Sequence, residues 1–172
     1  MDIPPDIERL AQRLLGHADK AHGQIVVAES CTGGQLSAVL TSIEGYSHCF
    51  DRGFISYSEQ AKQDLLGVSP SLLADQGAVS RAVALSMAEG CLNRTTALCA
   101  LAITGFAGPA EQEDEPGLVH VAFAVRNHGE WHRELHFGDT DRDRVRWESI
   151  RTALDLACTN LTEIMPVLGL PS

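Results

Sequence analysis

Apolar residues recur along the chain with two different periods, and together the two periods predict alternating helices and strands. Near the start, five apolar residues repeat at the spacing of a single helix face: Ile7, Leu10, Leu14, Leu15 and Ala18. Short apolar runs predict strands at residues 25–28, 53–57 and 97–103. The last run is apolar throughout, which is typical of a central strand that is buried on both faces.

Capping residues mark where several helices begin and end. Ser58 precedes a helical pattern that extends through Leu66. Ser69-Pro70 opens a short helix that Gly77 closes, and Ser80 precedes a third helix. Serine is favoured at these starts because its hydroxyl accepts a hydrogen bond from a free amide of the first turn. Three helices are therefore predicted between the second strand and the central one.

The last third of the chain predicts a β-hairpin followed by a long helix. Residues 118–125 and 131–137 alternate around the turn sequence Asn127-His128-Gly129, and a helical pattern follows from about 141 to 164. Strands and helices alternate in the first two thirds, and a hairpin follows them. This order predicts an α/β protein, with a single layered domain over residues 1–172 and helices on both sides of a mixed β-sheet.

The net charge of the chain argues against two classes of binding partner. The chain has 172 residues and a formal net charge of −10, with 23 acidic residues against 13 basic ones. This excess of acid argues against nucleic acid or an anionic membrane as a partner, because both need a basic surface. No apolar run reaches the ~18–20 residues of a membrane span. Five cysteines without a CxxC pair indicate reduced thiols, so we expect a cytoplasmic protein.

A polar turn, Ser30-Cys31-Thr32-Gly33-Gly34, follows the first predicted strand. It supplies hydroxyls, a thiol and glycine amides at the carboxyl end of a strand, where ligands collect in open α/β sheets. Three interpretations fit: an oxyanion hole beside a nucleophile, a cradle for phosphate, or a turn in which serine and glycine serve only capping and tight geometry. A second polar turn, from Thr104 to Pro109, follows the central strand.

Lysine is rare in this chain, which draws attention to Lys62. Eleven of the 13 basic residues are arginine, and the only lysines are Lys20 and Lys62. A buried lysine can lose its proton and act as a base, whereas arginine stays charged. Lys62 lies on the helix after the second strand, five residues past Tyr57. Two interpretations stay open: a solvated lysine, or a Ser–Lys dyad with the serine of the first polar turn.

Three histidines, His128, His132 and His136, are spaced by four residues. On a strand this spacing places them on one face with about 13–14 Å between the outer two, which is too far for one metal ion. We therefore expect a partly exposed polar face.

Several blocks of the sequence resemble the CinA C-terminal domain family. They are AESCTGG at 28–34, GFISYSEQAK at 53–62, LGV at 66–68, GAVS at 77–80 and TGFAGP at 104–109. Asp141-Arg142 with Val145-Arg146 resembles a late segment of the family. The combination of AESCTGG with the Tyr-xxxx-Lys element is specific, and the resemblance covers roughly residues 5 to 160.

The resemblance implies an enzyme activity. The family includes stand-alone nicotinamide-nucleotide amidohydrolases, which convert nicotinamide mononucleotide to nicotinate mononucleotide and ammonia and need no metal or other cofactor. By this resemblance Ser30 is the nucleophile, Lys62 is its general base, and Tyr57 lines the site. It also implies a small-molecule nucleotide as the substrate and a homo-oligomer as the assembly.

The resemblance further implies which residues bind the substrate. The oxyanion donors are the backbone amides of Cys31, Thr32, Gly33 and Gly34. The nucleotide is held by the turn that contains Thr104, Gly105, Ala107 and Gly108. The phosphate of the nucleotide is bound by Arg142 or Arg146. Cys31 is a rival nucleophile, but the resemblance assigns that role to the serine, and no histidine lies near Cys31 in the sequence.

The chain departs from the family pattern in two places. Residues 111–115 (EQEDE) carry four carboxylates where the family has a glycine-rich loop, and Glu115 and Leu118 replace a lysine and a threonine. Residues 138–140 are inserted ahead of Arg142. A carboxylate beside a nucleotide phosphate repels it by ~1 kcal/mol for a close pair in water.

Three hypotheses about function follow from these observations. The first is an amidohydrolase of nicotinamide mononucleotide that uses Ser30 and Lys62. The second is a domain that binds a nucleotide or a partner without turnover. The third is an amidase for a less anionic amide. The intact serine, tyrosine and lysine favour the first, and the acidic segment favours the second.

Overall fold

Five strands form a mixed sheet across residues 2–108 and 114–169, the part of the chain that the computed structural model describes. The strands are β1 (Ile25–Glu29), β2 (Phe50–Ile55), β3 (Cys99–Gly105), β4 (Leu118–Val125) and β5 (Gly129–His136). The helices are α1 (Pro5–Lys20), α2 (Gln35–Thr41), α3 (Glu59–Leu66), α4 (Pro70–Gln76), α5 (Arg81–Asn93) and α6 (Arg142–Ile164), and a 3₁₀ turn covers Ser47–Cys49.

The strand order β2-β1-β3-β4-β5 places β1 between two parallel neighbours. β4 and β5 continue the sheet in antiparallel fashion. Glu29, the last residue of β1, is paired with Ile55 on one side and with Ile103 on the other. Because parallel strands end at the same edge of a sheet, the segments that follow β1, β2 and β3 meet there.

Alternate residues of β1 face two separate apolar layers. Ile25 and Val27 face the layer that contains residues of α1, α2 and α6. Val26 and Ala28 face the layer that contains residues of α5 and the end of α3. All four side chains are fully buried, so β1 is covered on both faces. The predicted α/β class, with helices on both sides of a mixed sheet, is confirmed.

Three of the predicted helix starts are confirmed by capping hydrogen bonds. The side chains of Ser58, Ser80 and Asp141 each accept a hydrogen bond from an amide in the first turn of α3, α5 and α6. α6 is 23 residues long. Neither it nor any other helix among the described residues combines the length and the apolar character that crossing a membrane requires.

Two strands begin earlier than the sequence predicts, and β3 begins later, at Cys99 rather than at 97. β2 begins at Phe50 rather than at 53. The sequence pattern missed this start because β2 is an edge strand, which tolerates the charged pair Asp51 and Arg52 at 2.9 Å. β5 begins at Gly129 rather than at 131, because a tight turn with Asn127 at φ 62° lets the pairing start earlier.

Candidate active site

The segments that follow β1, β2 and β3 enclose a cavity of about 330 Å³ at the carboxyl edge of the parallel strands. Nine of the residues predicted from the sequence line it: Ser30, Cys31, Tyr57, Lys62, Thr104, Gly105, Ala107, Gly108 and Arg142. The predicted residues outside the lining are Thr32, Gly33, Gly34 and Arg146. The fold therefore brings together residues that are more than a hundred positions apart in the chain.

Lys62 and Ser30 are in direct contact inside this cavity. The Nζ atom of Lys62 donates a hydrogen bond to Ser30 Oγ at 3.0 Å and another to the carbonyl oxygen of Ser56 at 3.1 Å. Both residues are buried, with 7% of Ser30 and 1% of Lys62 exposed. The lysine lies in the first turn of α3, whose start Ser58 caps. A hydroxyl that contacts a buried amine has the arrangement of a serine nucleophile beside a lysine base.

Burial lowers the pKa of Lys62 below the ordinary lysine value, because the charged ammonium loses its hydration. Cys31 and Glu59 oppose this effect more weakly. None of the ion pairs among the described residues involves Lys62. A buried lysine without a counter-ion gives up its proton more readily, and a neutral amine is what a general base needs.

The neighbouring Cys31 is a poor candidate for the nucleophile. Its side chain is 3% exposed, and burial raises the pKa of the thiol to about 11. The thiolate is the reactive form of cysteine, so a thiol that stays protonated at neutral pH reacts slowly. The geometry and the protonation state therefore both favour the serine hydroxyl over the thiol.

Two backbone amides of the turn after β1 donate hydrogen bonds to acceptors within the protein. Gly33 donates to the first carbonyl of the turn at 3.0 Å, and Gly34 donates to Glu29 Oε2 at 3.1 Å. The amides of Cys31 and Thr32 have no acceptor among the described residues, and the Thr32 hydroxyl is also buried without a partner there. Of the four amides expected as oxyanion donors, those of Gly33 and Gly34 therefore already have acceptors within the protein.

Arg142 and Arg146 lie one helical turn apart at the start of α6 and contact different parts of the site. Arg142 Nη2 donates to the Tyr57 hydroxyl at 3.1 Å, and both side chains line the cavity. A Cβ atom at Gly108 would lie 3.1 Å from Arg142 Nη1, so glycine leaves room for the guanidinium. Arg146 Nε donates to the Cys31 carbonyl at 2.8 Å. Arg142 thus faces the cavity, whereas Arg146 holds the turn after β1.

Thr104 shapes the wall of the cavity. It is fully buried, and its hydroxyl donates to the carbonyl oxygen of Ala78 at 2.8 Å. This bond joins the end of β3 to the segment between α4 and α5, and both residues line the cavity. The hydroxyl proton of Thr104 is therefore already used within the protein, although its oxygen can still accept a hydrogen bond.

Asp114 and Glu115, the described part of the acidic segment, lie beside the candidate site. Residues 111–113 lie outside the described residues. Asp114 and Glu115 line a second cavity of about 570 Å³ that shares three lining residues with the first: Ala78, Val79 and Phe106. The two described carboxylates therefore adjoin the candidate site without lining it.

One histidine of β5, His136, contacts Glu115 of this acidic segment. His136 Nδ1 lies 2.6 Å from Glu115 Oε1, and hydrogen bonds to Glu115 and then to Glu134 raise the pKa of His136. A protonated His136 offsets part of the charge of Glu115. His132 and His136 lie on β5, where the first is half-buried and the second exposed, whereas His128 lies in the exposed turn before the strand. The predicted polar face is therefore partly exposed but holds two of the three histidines.

Besides the lining residues Ala78, Val79 and Phe106, two polar groups at the site were not predicted from the sequence. Glu29 accepts hydrogen bonds from the start of α2, and the carbonyl oxygen of Ser56 accepts one from Lys62. The sequence signal for Glu29 is a lone carboxylate at the end of an otherwise apolar, buried strand. No sequence signal marks the carbonyl of Ser56, because any residue supplies one.

Comparisons with known proteins show which proteins this chain resembles. A model of the CinA C-terminal domain matches residues 7–161. The nicotinamide-nucleotide amidohydrolase PncC of Escherichia coli strain K12 is 44% identical over 144 residues, which cover 81% of this chain and 86% of PncC. A CinA-like protein of Syntrophobacter fumaroxidans is 44% identical over 153 residues, and there the chain spans only 36% of the relative's length.

Solved structures give the same result for the fold. The crystal structure of the competence/damage inducible protein CihA from Agrobacterium tumefaciens is similar with a TM-score of 0.89 and 43% sequence identity. The match covers 94% of this chain and 99% of CihA. Sequence similarity to PncC and fold similarity to CihA therefore each extend over most of the chain.

Proposed function

The chain belongs to the CinA C-terminal domain family, and from this membership and the site geometry we propose that it is a nicotinamide-nucleotide amidohydrolase. The reaction converts nicotinamide mononucleotide and water to nicotinate mononucleotide and ammonia. The observation that carries the proposal is the 3.0 Å contact between Lys62 Nζ and Ser30 Oγ in the buried pocket. The activity named for the Escherichia coli relative supports the same assignment.

In the first half of the reaction, Ser30 attacks the carboxamide. The neutral amine of Lys62 takes the proton from Oγ as the C–O bond forms, and the electron pair of the carbonyl moves to its oxygen. The amides of Cys31 and Thr32 are the donors left free for this oxyanion. Each preorganised donor of this kind lowers the barrier by roughly 3–4 kcal/mol.

In the second half, the tetrahedral intermediate expels the amide nitrogen. The Lys62 ammonium returns the proton to that nitrogen as the C–N bond breaks, so ammonia leaves and an ester on Ser30 remains. Neutral Lys62 then takes a proton from the water that attacks the ester, and it delivers that proton to Oγ as the C–O bond breaks. One water is consumed for each amide hydrolysed.

We assign the phosphate of the substrate to Arg142. Its guanidinium lines the cavity and is steadied by the Tyr57 hydroxyl, and guanidinium groups bind phosphate oxygens in bidentate fashion. Arg146 is engaged with the Cys31 carbonyl and supports the turn. We assign the nucleotide to the turn after β3, in which Ala107 and Gly108 line the cavity and Gly108 leaves room for the Arg142 guanidinium.

A second candidate function is an amidase for a less anionic amide. One observation favours it: Asp114, Glu115 and Glu59 line the cavity that adjoins the candidate site. These carboxylates disfavour a phosphate in the adjoining cavity, though not at Arg142.

Ammonia release from three amides separates these functions. We expect the wild-type enzyme to hydrolyse nicotinamide mononucleotide with a kcat/KM at least about 10-fold above that for nicotinamide riboside, because the riboside lacks the phosphate that Arg142 binds. Free nicotinamide serves as the third amide. Faster hydrolysis of the riboside would support the second candidate. Binding of the mononucleotide by calorimetry without ammonia release from any of the three would contradict both.

A further inference from the structure

Glu29 is a buried carboxylate that the mechanism above does not use. It is the last residue of β1, precedes Ser30 directly, and is 0% exposed. None of the ion pairs among the described residues involves it. A buried charge without a counter-ion is costly unless hydrogen bonds compensate it, so its partners decide what it does.

The two oxygens of Glu29 accept four hydrogen bonds from the start of α2. Oε2 accepts from the amides of Gly34 and Leu36, at 3.1 and 3.0 Å. Oε1 accepts from the amide and the hydroxyl of Ser37, at 2.8 and 2.7 Å. An ionised carboxylate has about four acceptor positions, so all of them are occupied.

This arrangement replaces an ordinary helix cap. The N-cap residue of α2 is Gly34, in a left-handed conformation and without a side-chain cap. The amides that such a cap leaves free donate to Glu29 instead, across the turn. Glu29 therefore fixes both ends of the turn from Ser30 to Gly33. The backbone of Glu29 belongs to the sheet before the turn, and its side chain binds the start of α2 after the turn.

The backbone of Glu29 also reaches the lysine side of the site. Its carbonyl oxygen accepts a hydrogen bond from the Ser56 amide at 2.8 Å. The carbonyl of Ser56 in turn accepts one from Lys62 Nζ at 3.1 Å. Glu29 is thus connected to Ser30 through the chain and to Lys62 through a single intervening residue.

We propose that Glu29 is a positioning residue, which sets the alignment of Ser30 with Lys62 and aims the free amides of the turn. This inference rests on the proposed amidohydrolase function. The carboxylate directs the amides of Gly34, Leu36 and Ser37 away from the substrate and leaves those of Cys31 and Thr32 to donate to the oxyanion.

The chemistry requires a carboxylate rather than an amide at this position. A glutamine has one acceptor oxygen, and its NH₂ group would face donors that already point toward it. An aspartate keeps the four acceptor positions on a side chain that is one methylene shorter. Glu29→Gln therefore removes at least one amide hydrogen bond, because of the four donors only the Ser37 hydroxyl can turn and accept from the NH₂ group. Glu29→Asp, in contrast, can restore part of the network.

The test compares Glu29→Gln and Glu29→Asp with wild type, and uses Glu44→Gln at an exposed position as the matched control. We expect Glu29→Gln to lower kcat for nicotinamide mononucleotide by about 100-fold, the cost of a misplaced reacting group, with KM changed by less than about 3-fold. Glu29→Asp should recover part of kcat, and Glu44→Gln should match wild type.

A second measurement does not depend on the substrate. The rate at which a sulfonyl fluoride labels Ser30 reports the reactivity of the hydroxyl, and we expect Glu29→Gln to lower it in parallel with kcat. If the wild type labels at Ser30 but releases no ammonia from the mononucleotide, the proposed function fails while the labelling still tests Glu29. Unchanged kcat and labelling in a folded Glu29→Gln would overturn the inference.

Ser37→Ala covers the case in which Glu29→Gln does not fold. This variant removes the hydroxyl donor to Oε1 and leaves the three amide donors in place. We expect a smaller loss of both kcat and labelling rate, by about 3- to 10-fold at unchanged KM, because three of the four donors still hold the carboxylate. A folded Ser37→Ala with both rates at the wild-type level would count against the inference.

Discussion

Lys62 Nζ and Ser30 Oγ lie 3.0 Å apart although 32 positions separate the two residues in the chain. The serine follows β1 and the lysine lies on α3, just after β2, so the parallel pairing of β1 with β2 brings them together. That pairing continues beyond the strands, because the Ser56 amide donates to the Glu29 carbonyl at 2.8 Å. The pairing of β1 with β2 therefore positions Lys62 beside Ser30.

We expect kcat/KM for nicotinamide mononucleotide to rise with pH through the pKa of Lys62. The base must be neutral to take the proton from Ser30, and burial lowers its pKa from the ordinary value of 10.5. The ascending limb should therefore lie below pH 10.5. A pH–rate profile from about pH 6 to about pH 10 checks this prediction. Activity that declines steadily across this range would contradict the role of Lys62.

Replacing Lys62 with methionine should stabilise the folded protein while abolishing activity. The folded state lowers the pKa of this lysine, so at neutral pH burial of the ammonium costs stability. We expect the methionine variant to melt a few degrees higher at about pH 7, since 1 kcal/mol moves the Tm of a domain of this size by about 2–4 °C.

The lowered pKa of Lys62 also predicts how the stability of the wild-type protein depends on pH. Between its lowered folded pKa and the unfolded value, the unfolded state binds more protons, so wild-type stability rises with pH across this window. The advantage of Lys62→Met should therefore shrink as the pH approaches 10.5. Melting curves at several pH values check the trend, and a constant or growing advantage would argue against a lowered pKa.

Cys31→Ala should keep most of the activity. The pKa of the thiol is raised to about 11 by burial, so very little thiolate exists at neutral pH. We expect kcat to stay within about 5-fold of wild type, because the side chain contributes packing rather than chemistry. Steady-state ammonia release measures this change. A loss of kcat as large as that of Ser30→Ala would indicate that the Cys31 thiol is the nucleophile.

Arg142→Ala should weaken binding of the phosphate. We expect KM for nicotinamide mononucleotide to rise by about 10- to 100-fold, the effect of losing a charge-assisted hydrogen bond worth about 1.5–3 kcal/mol. Turnover of nicotinamide riboside should change less. Arg144→Ala, at an exposed position on the same helix, is the matched control. An equal rise in KM for the mononucleotide and the riboside would contradict the assignment of the phosphate to Arg142.

Local patterns predicted most of the fold. The serines at 58 and 80 cap helices as predicted, because a cap depends on residues a few positions apart. The last helix begins at the predicted place, where Asp141 caps it. The all-apolar run at 97–103 became β3, the middle strand of the sheet. The start of β2 was missed, because an edge strand does not need apolar residues on both faces.

The site depends on contacts that no local pattern contains. The residues of the turn after β1 predicted its place, but not that Gly33 and Gly34 donate to acceptors within the protein. The choice between Arg142 and Arg146 also required the geometry, since both lie on the same face of α6. Glu29 went unnoticed because a carboxylate at a strand end is ordinarily exposed, and only the fold shows that it is buried.

The most direct test of the Ser30–Lys62 dyad is ammonia release from nicotinamide mononucleotide by wild type, Ser30→Ala and Lys62→Arg, measured in parallel. Lys20→Arg and Ser42→Ala, at exposed positions, are the matched controls. The dyad predicts turnover by wild type and by both controls, and a loss of at least about 100-fold in each dyad variant, because arginine cannot act as a base and alanine has no hydroxyl. Turnover within a few-fold of wild type in a folded Lys62→Arg variant would contradict the dyad.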